Sequence, residues 1–205
     1  MTYVKICGLT NADLVRAARD ADALGFVVDS PKSHRNLTHA QAAELVKLTG
    51  PFQTTVAVTS TRDVEVLHDI VRDVRPDALQ VPFRAGQNAF SILRDRFPTL
   101  RLLISCRPED AHLLPSIADA YVLDANTADG YGGTGQLTDW DRARAVRADA
   151  KVPIILAGGL TPENVAEAIR LVRPWGVDVA SGVESAPGRK DTAKVRAFVD
   201  AVRGV

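Results

Sequence analysis

Short runs of aliphatic and β-branched residues alternate with longer amphipathic stretches along the whole 205-residue chain. That rhythm leaves few folds open, because strand–helix alternation builds a parallel sheet with helices packed on it. Eight apolar runs can be counted, at 3–7, 23–28, 53–58, 78–81, 101–105, 120–124, 152–157 and 176–180. Stretches with apolar residues at helical spacing follow them, at 11–21, 38–50, 63–74, 88–97, 109–114, 140–148, 162–172 and 192–202. Thr38 and Gln41 have the spacing of a capping box, Gly50 is placed to end that helix, and Pro162 suits a first helical turn. The stretch 109–114 is the weakest of the helices, and 125–139 is the longest irregular segment.

Eight such units in sequence predict an α/β fold of one domain, residues 1–205, closed as a (β/α)8 TIM barrel. The competing topology is an open doubly wound sheet. It usually has fewer strands and a Gly-rich loop after the first, and "CGLTN" is not GxGxxG.

Composition narrows the function classes. Twenty-five basic and twenty-five acidic residues cancel without a basic stripe, so neither nucleic acid nor a membrane surface is an expected partner. Two cysteines cannot form a disulfide framework and suggest a reducing compartment. With no charged leader and no apolar run of spanning length, the expected location is the cytoplasm.

In a barrel of this kind the chemistry sits at the C-terminal ends of the strands. Reading those ends in order gives Cys7, Asp29, Val58, Gln80, Ser105 with Cys106, Asp124, Gly158 with Gly159, and Ser181 with Gly182. Most are polar or glycine, as loop beginnings also tend to be. The last two pairs stand in the neighbouring seventh and eighth loops, the usual phosphate seat of the fold. Their glycines would let backbone N–H groups approach an anion, although Gly-Gly also suits a plain strand-to-helix turn. Lys5 and Cys7, two apart in the first strand, share a face and point into the barrel. A cationic neighbour favours the thiolate and desolvation opposes it, so spacing alone leaves the charge of Cys7 open. Cys106 reads as a rim or packing residue, and Asp178, in mid-strand, as a structural carboxylate of the lower barrel. The four histidines have no ligand spacing, and no metal site is expected.

The chain resembles the phosphoribosylanthranilate isomerase family of tryptophan biosynthesis. The blocks that carry the resemblance run in order: "VKICGLTN", "DALGFVV", "PKSHRNLT", "VLDANTADGYGGTGQLTDW", "ILAGGLTPENVAEAI" and "VDVASGVESAPGRKD". It implies an Amadori rearrangement of a phosphorylated aminoaldose, N-(5-phosphoribosyl)anthranilate, to the 1-deoxyribulose 5-phosphate product. It also implies that Cys7 is the general base and Asp124 the general acid. Arg35 would meet the anthranilate end, and Gly158, Gly159, Ser181 and Gly182 would hold the phosphate. Lys5 and Gln80 are expected to line the substrate pocket. Two places depart from the family pattern: Pro82 follows Gln80 where many members have histidine, and the loop 29–35 is slightly longer.

The chemistry agrees with those residue types. Protonating the ring oxygen opens the aminoaldose to an iminium, which is its own electron sink, so no cofactor is expected. A base then removes the proton on the adjacent carbon, and an aspartic acid that donates near neutrality must be held protonated. Two rival readings are a bifunctional isomerase that also serves histidine biosynthesis, and a sugar-phosphate-binding paralogue without turnover. The expected assembly is a monomer or a homodimer.

Overall fold

The computed structural model describes residues 1–83, 87–114, 117–125 and 137–205. Nine parallel strands form its main sheet: β1 (Tyr3–Cys7), β2 (Ala23–Val28), β3 (Asn36–Leu37), β4 (Thr54–Val58), β5 (Ala78–Pro82), β6 (Arg101–Cys106), β7 (Ala120–Leu123), β8 (Ile154–Leu156) and β9 (Gly176–Val179). Their order is β1-β9-β8-β7-β6-β5-β4-β2-β3, and a further β1–β2 pairing, with Cys7 opposite Gly25, joins the ends. That pairing closes an eight-stranded parallel barrel and excludes the open doubly wound sheet. The ninth strand, β3, lies outside the ring beside the end of β2, with Val27 opposite Asn36. Two residues carry no period, so nothing in the sequence marks it as a strand.

Helices α1 (Ala12–Ala17), α2 (His39–Val46), α3 (Val64–Val74), α4 (Gln87–Arg96), α5 (Trp140–Asp149), α6 (Val165–Val172) and α7 (Thr192–Arg203) surround the barrel. Alternation along each strand separates two apolar layers. Val4, Ile6, Phe26 and Phe198 pack between sheet and helices, while Val56, Ala78, Leu103, Val122, Ile155 and Ala157 fill the barrel. Lys5 is among the residues lining a cavity of about 400 Å³ at the strands' N-terminal ends. The cavity is otherwise lined by residues such as Ala23, Val56 and Trp175, far from the functional mouth.

Several local expectations are corrected. The capping box of Thr38 and Gln41 is present, but α2 stops at Val46 rather than at Gly50. Pro162 lies in a turn ahead of α6, whose N-cap is Asn164. The weak helix after the sixth strand is a 3₁₀ segment, Pro108–Leu113. After β9 comes a 3₁₀ turn (Ser181–Val183) and then a small antiparallel hairpin, β10 (Glu184–Ala186) and β11 (Arg189–Lys190), that the apolar pattern does not announce.

His39, at the start of α2, clasps two carboxylates. Its Nε2 lies 2.6 Å from Asp29 at the end of β2, and its Nδ1 lies 3.0 Å from Asp73 on α3. Burial works against the imidazolium, but the bonds to Asp73 and Asp29 outweigh it and raise the pKa above 6.5. A raised folded-state pKa gives stability that is complete below the unfolded value and lost as pH rises through the folded one. The thermal midpoint of His39→Gln should therefore lie below wild type near about pH 6 and converge with it near about pH 9. Parallel curves across that range would show that the clasp contributes no pH-dependent stability.

Candidate active site

The first strand carries a lysine and a cysteine on its inner face, and the barrel brings their partners from distant strands. Lys5 is almost fully buried, at 4% exposure. Its Nζ donates to Asp178 Oδ2 at 2.7 Å on β9 and to Gln80 Oε1 at 2.9 Å on β5. Asp178 is therefore the counter-ion of Lys5, opposite it in the β1–β9 register, and is more than a lower-barrel structural carboxylate. Burial opposes the ammonium, but Asp178 and Cys7 outweigh it and hold Lys5 above its ordinary range. This answers what the spacing left open for Cys7. Burial pushes the thiol up, and Lys5, Lys190 and Arg35 only partly offset that. At Cys7 the balance therefore favours the thiol over the thiolate.

Arg35 comes from the loop between β2 and β3. Its side chain passes over Gly8, where a Cβ would fall on the Arg35 Cδ. The guanidinium is gripped edge-on by Glu184 of β10, with Nε–Oε1 and Nη2–Oε2 both 2.7 Å. Among the described residues, no hydrogen bond to protein engages the Nη1 edge. Lys190 of β11 completes the cluster, 3.0 Å from Glu184 Oε1 and 2.7 Å from the Ala180 carbonyl. Burial would raise the Glu184 pKa, yet Arg35 and Lys190 hold it below the usual carboxylate range. Burial lowers the Lys190 pKa and Glu184 works against that, so this rim beside Cys7, with Arg35 and Lys190 against one carboxylate, suits an anionic ligand group.

Glu184 and Lys190 are site residues that the strand-end reading missed. A signal for them does exist in "ESAPGRK": a Pro-Gly turn between short polar runs reads as a hairpin, and hairpin register sets Glu184 opposite Lys190.

Asp124 follows β7, and its backbone N–H donates to the Cys106 carbonyl. Its Oδ1 faces the loop after β8, 3.1 Å from where a Gly158 Cβ would sit. Cys7 and Asp124 thus occupy the same C-terminal mouth, on strands separated by β9 and β8. Most of the long segment after Asp124, residues 126–136, lies outside the described residues. Cys106 is fully buried rather than at the rim, and desolvation pushes its thiol up to about 12. Pro82 ends β5 opposite Ser105, a strand terminus that needs no further N–H.

The two glycine loops interlock. Gly158 and Gly159 both have positive φ, 84° and 68°, and turn the chain from β8 toward α6. At Gly182 a Cβ would collide with the Leu160 carbonyl oxygen and reach Thr161 Cα at 3.3 Å. The loop after β9, with Ser181 and Gly182, therefore lies directly on the loop after β8. Neighbouring backbone amides at one rim form a seat that suits a phosphate.

The model of the family described as N-(5'-phosphoribosyl)anthranilate (PRA) isomerase matches residues 4–201. A relative of that name from Natronomonas pharaonis is 42% identical over 207 residues, covering 100% of this chain and 99% of its own length. The crystal structure of phosphoribosyl anthranilate isomerase from Thermotoga maritima superposes with a TM-score of 0.82 at 31% identity, each chain fully covered. A further structure of the enzyme, in complex with reduced 1-(o-carboxyphenylamino)-1-deoxyribulose 5-phosphate, superposes with a TM-score of 0.82 at 28% identity, again with full coverage.

Proposed function

Since this chain belongs to the N-(5'-phosphoribosyl)anthranilate isomerase family and catalyses that aldose–ketose isomerisation in tryptophan biosynthesis, we propose which of its residues carry the reaction. Asp124 donates a proton to the ring oxygen of the aminoaldose and opens it to the iminium. Cys7, as thiolate, removes the proton from the adjacent carbon, and the enolamine rearranges to the ketose. The amides around Gly158, Gly159, Ser181 and Gly182 hold the phosphate. Arg35, steadied by Glu184, receives the anthranilate carboxylate on its outer edge. Lys5, held by Gln80 and Asp178, acts through Cys7, whose thiolate a cationic neighbour favours.

The single observation behind this reading is the shared mouth. Cys7, Asp124, the Arg35–Glu184–Lys190 cluster and the interlocked glycine loops all cluster at one end of the barrel. The 205 residues act as one domain, as a monomer or a homodimer. Among the described residues no helix is long and apolar enough to cross a membrane. That and two free cysteines support a cytoplasmic location.

Gly182→Ala tests the phosphate seat. The added methyl must push the two loops apart, so KM should rise about tenfold to a hundredfold, the equivalent of one charge-assisted hydrogen bond at about 1.5–3 kcal/mol, while kcat stays near wild type. Loss of the substrate's fluorescence follows the reaction. An unchanged KM would place the phosphate elsewhere.

A further inference from the structure

The buried carboxylate of Asp178 is used only in part. Its Oδ2 holds Lys5 at 2.7 Å, while its Oδ1 is buried with no hydrogen-bond partner among the described residues. A buried carboxylate so poorly served is costly unless its charge has a task. The task is suggested by what shares its partner. Lys5 is bracketed by Asp178, Gln80 and Cys7, and the ammonium can neutralise only one anion fully.

Building on the assignment of Cys7 as the base, we propose that Asp178 is a positioning residue which, by keeping the Lys5 ammonium ion-paired, prevents a permanent Cys7 thiolate–Lys5 pair and so keeps Cys7 a strong base. The groups facing Cys7 come from four elements: Lys5 on its own strand, Asp178 on β9, Lys190 on β11 and Arg35 in the loop before β3. Three of them are cations that favour the thiolate, and Asp178 joins burial in opposing it. Without Asp178, the buried ammonium of Lys5 would have the cysteine sulfur as its only charged partner within the barrel. The thiol would then ionise at lower pH, but the thiolate would be correspondingly reluctant to take a proton from carbon. Gln80, neutral and hydrogen-bonded to the same ammonium, fixes its position without competing for charge.

The test is the ionisation of Cys7, followed by the ultraviolet absorbance of the thiolate across pH, with the titration of Cys7→Ala subtracted. The Cys106 thiol, pushed up to about 12, is present in Cys7→Ala as well and cancels in the subtraction. Asp178→Asn preserves shape and removes the charge. It should move the Cys7 midpoint down by at least about one pH unit, about tenfold in thiolate at a fixed lower pH, and move the acid limb of kcat/KM in the same direction. Lys5→Gln should move the midpoint up. A variant that merely loosened the fold would shift neither titration in a signed way. If Asp178→Asn does not fold, Asp178→Ser, which also removes the charge, carries the same expected downward shift. A midpoint within error of wild type in whichever variant folds overturns the assignment. Failure of the underlying reading looks different: Cys7→Ala would keep its turnover whatever Asp178→Asn does.

Discussion

Replacing Cys7 with Ala is expected to lower kcat by about a hundredfold to ten-thousandfold, the contribution typical of one positioned acid–base group. The fold should survive, since the change removes a single sulfur atom and leaves the strand's backbone pairing intact. Cys7→Ser is the sharper version. It keeps the size and the polar atom, yet a serine hydroxyl cannot supply a comparable anion near neutrality even beside Lys5. Both variants should bind substrate with KM close to wild type, because the phosphate seat and the Arg35 cluster lie on other elements. The pH dependence has a definite sign. Burial raises the Cys7 pKa, so turnover should climb with pH through the neutral range as the thiolate fraction grows. Near-wild-type kcat in Cys7→Ala, measured by loss of substrate fluorescence, would move the base to another residue.

Glu184→Ala is expected to have the largest effect on stability. The carboxylate takes both N–H groups of one Arg35 edge, the Lys190 ammonium and the Gly188 amide. Removing it leaves the buried Arg35 guanidinium uncompensated and takes from Lys190, whose pKa burial already lowers, the carboxylate that supports its charge, a change of about 3–5 kcal/mol. Chemical denaturation at neutral pH should read that loss. Because the folded-state pKa of Glu184 is depressed, its stabilisation is present above the unfolded value of 4.5 and is lost as pH falls through the folded one. The gap between wild type and variant should therefore narrow in acid. KM should rise as well, since Arg35 loses the partner that aims it. A stability cost below about 1 kcal/mol, that of an exposed pair, would mean the cluster is solvated in solution.

How much of this was readable in the chain follows from the range of each interaction. Barrel strands and helices have periods of about two and about 3.6 residues, and a local pattern reports both. Hence the eight barrel strands and the residues at their ends were legible, down to Lys5 and Cys7 sharing a face. Helix ends were less so: α2 stops at Val46 because its last turn unwinds into Lys47–Thr49, and no glycine is needed for that. The ion pairs were out of reach. Lys5 meets Asp178 across 173 residues and Arg35 meets Glu184 across 149, separations at which charge pattern carries no information. For that reason the bonds that Lys5 makes to Gln80 and Asp178 could not be read from the chain. Glu184 and Lys190 were accessible in principle through their hairpin turn, although the apolar pattern passes over it.

The central claim is that an acid and a base face the sugar from opposite sides, with its phosphate held between them at the rim. It is tested most directly by a crystal structure of this protein with reduced 1-(o-carboxyphenylamino)-1-deoxyribulose 5-phosphate bound. The account predicts the Cys7 sulfur against the carbon that exchanges its proton and the Asp124 carboxyl against the sugar oxygen on the other face. It also predicts the phosphate on the amides of Gly159 and Gly182. A ligand whose phosphate sits away from those loops, or whose sugar carbons lie out of reach of the Cys7 sulfur, would contradict it.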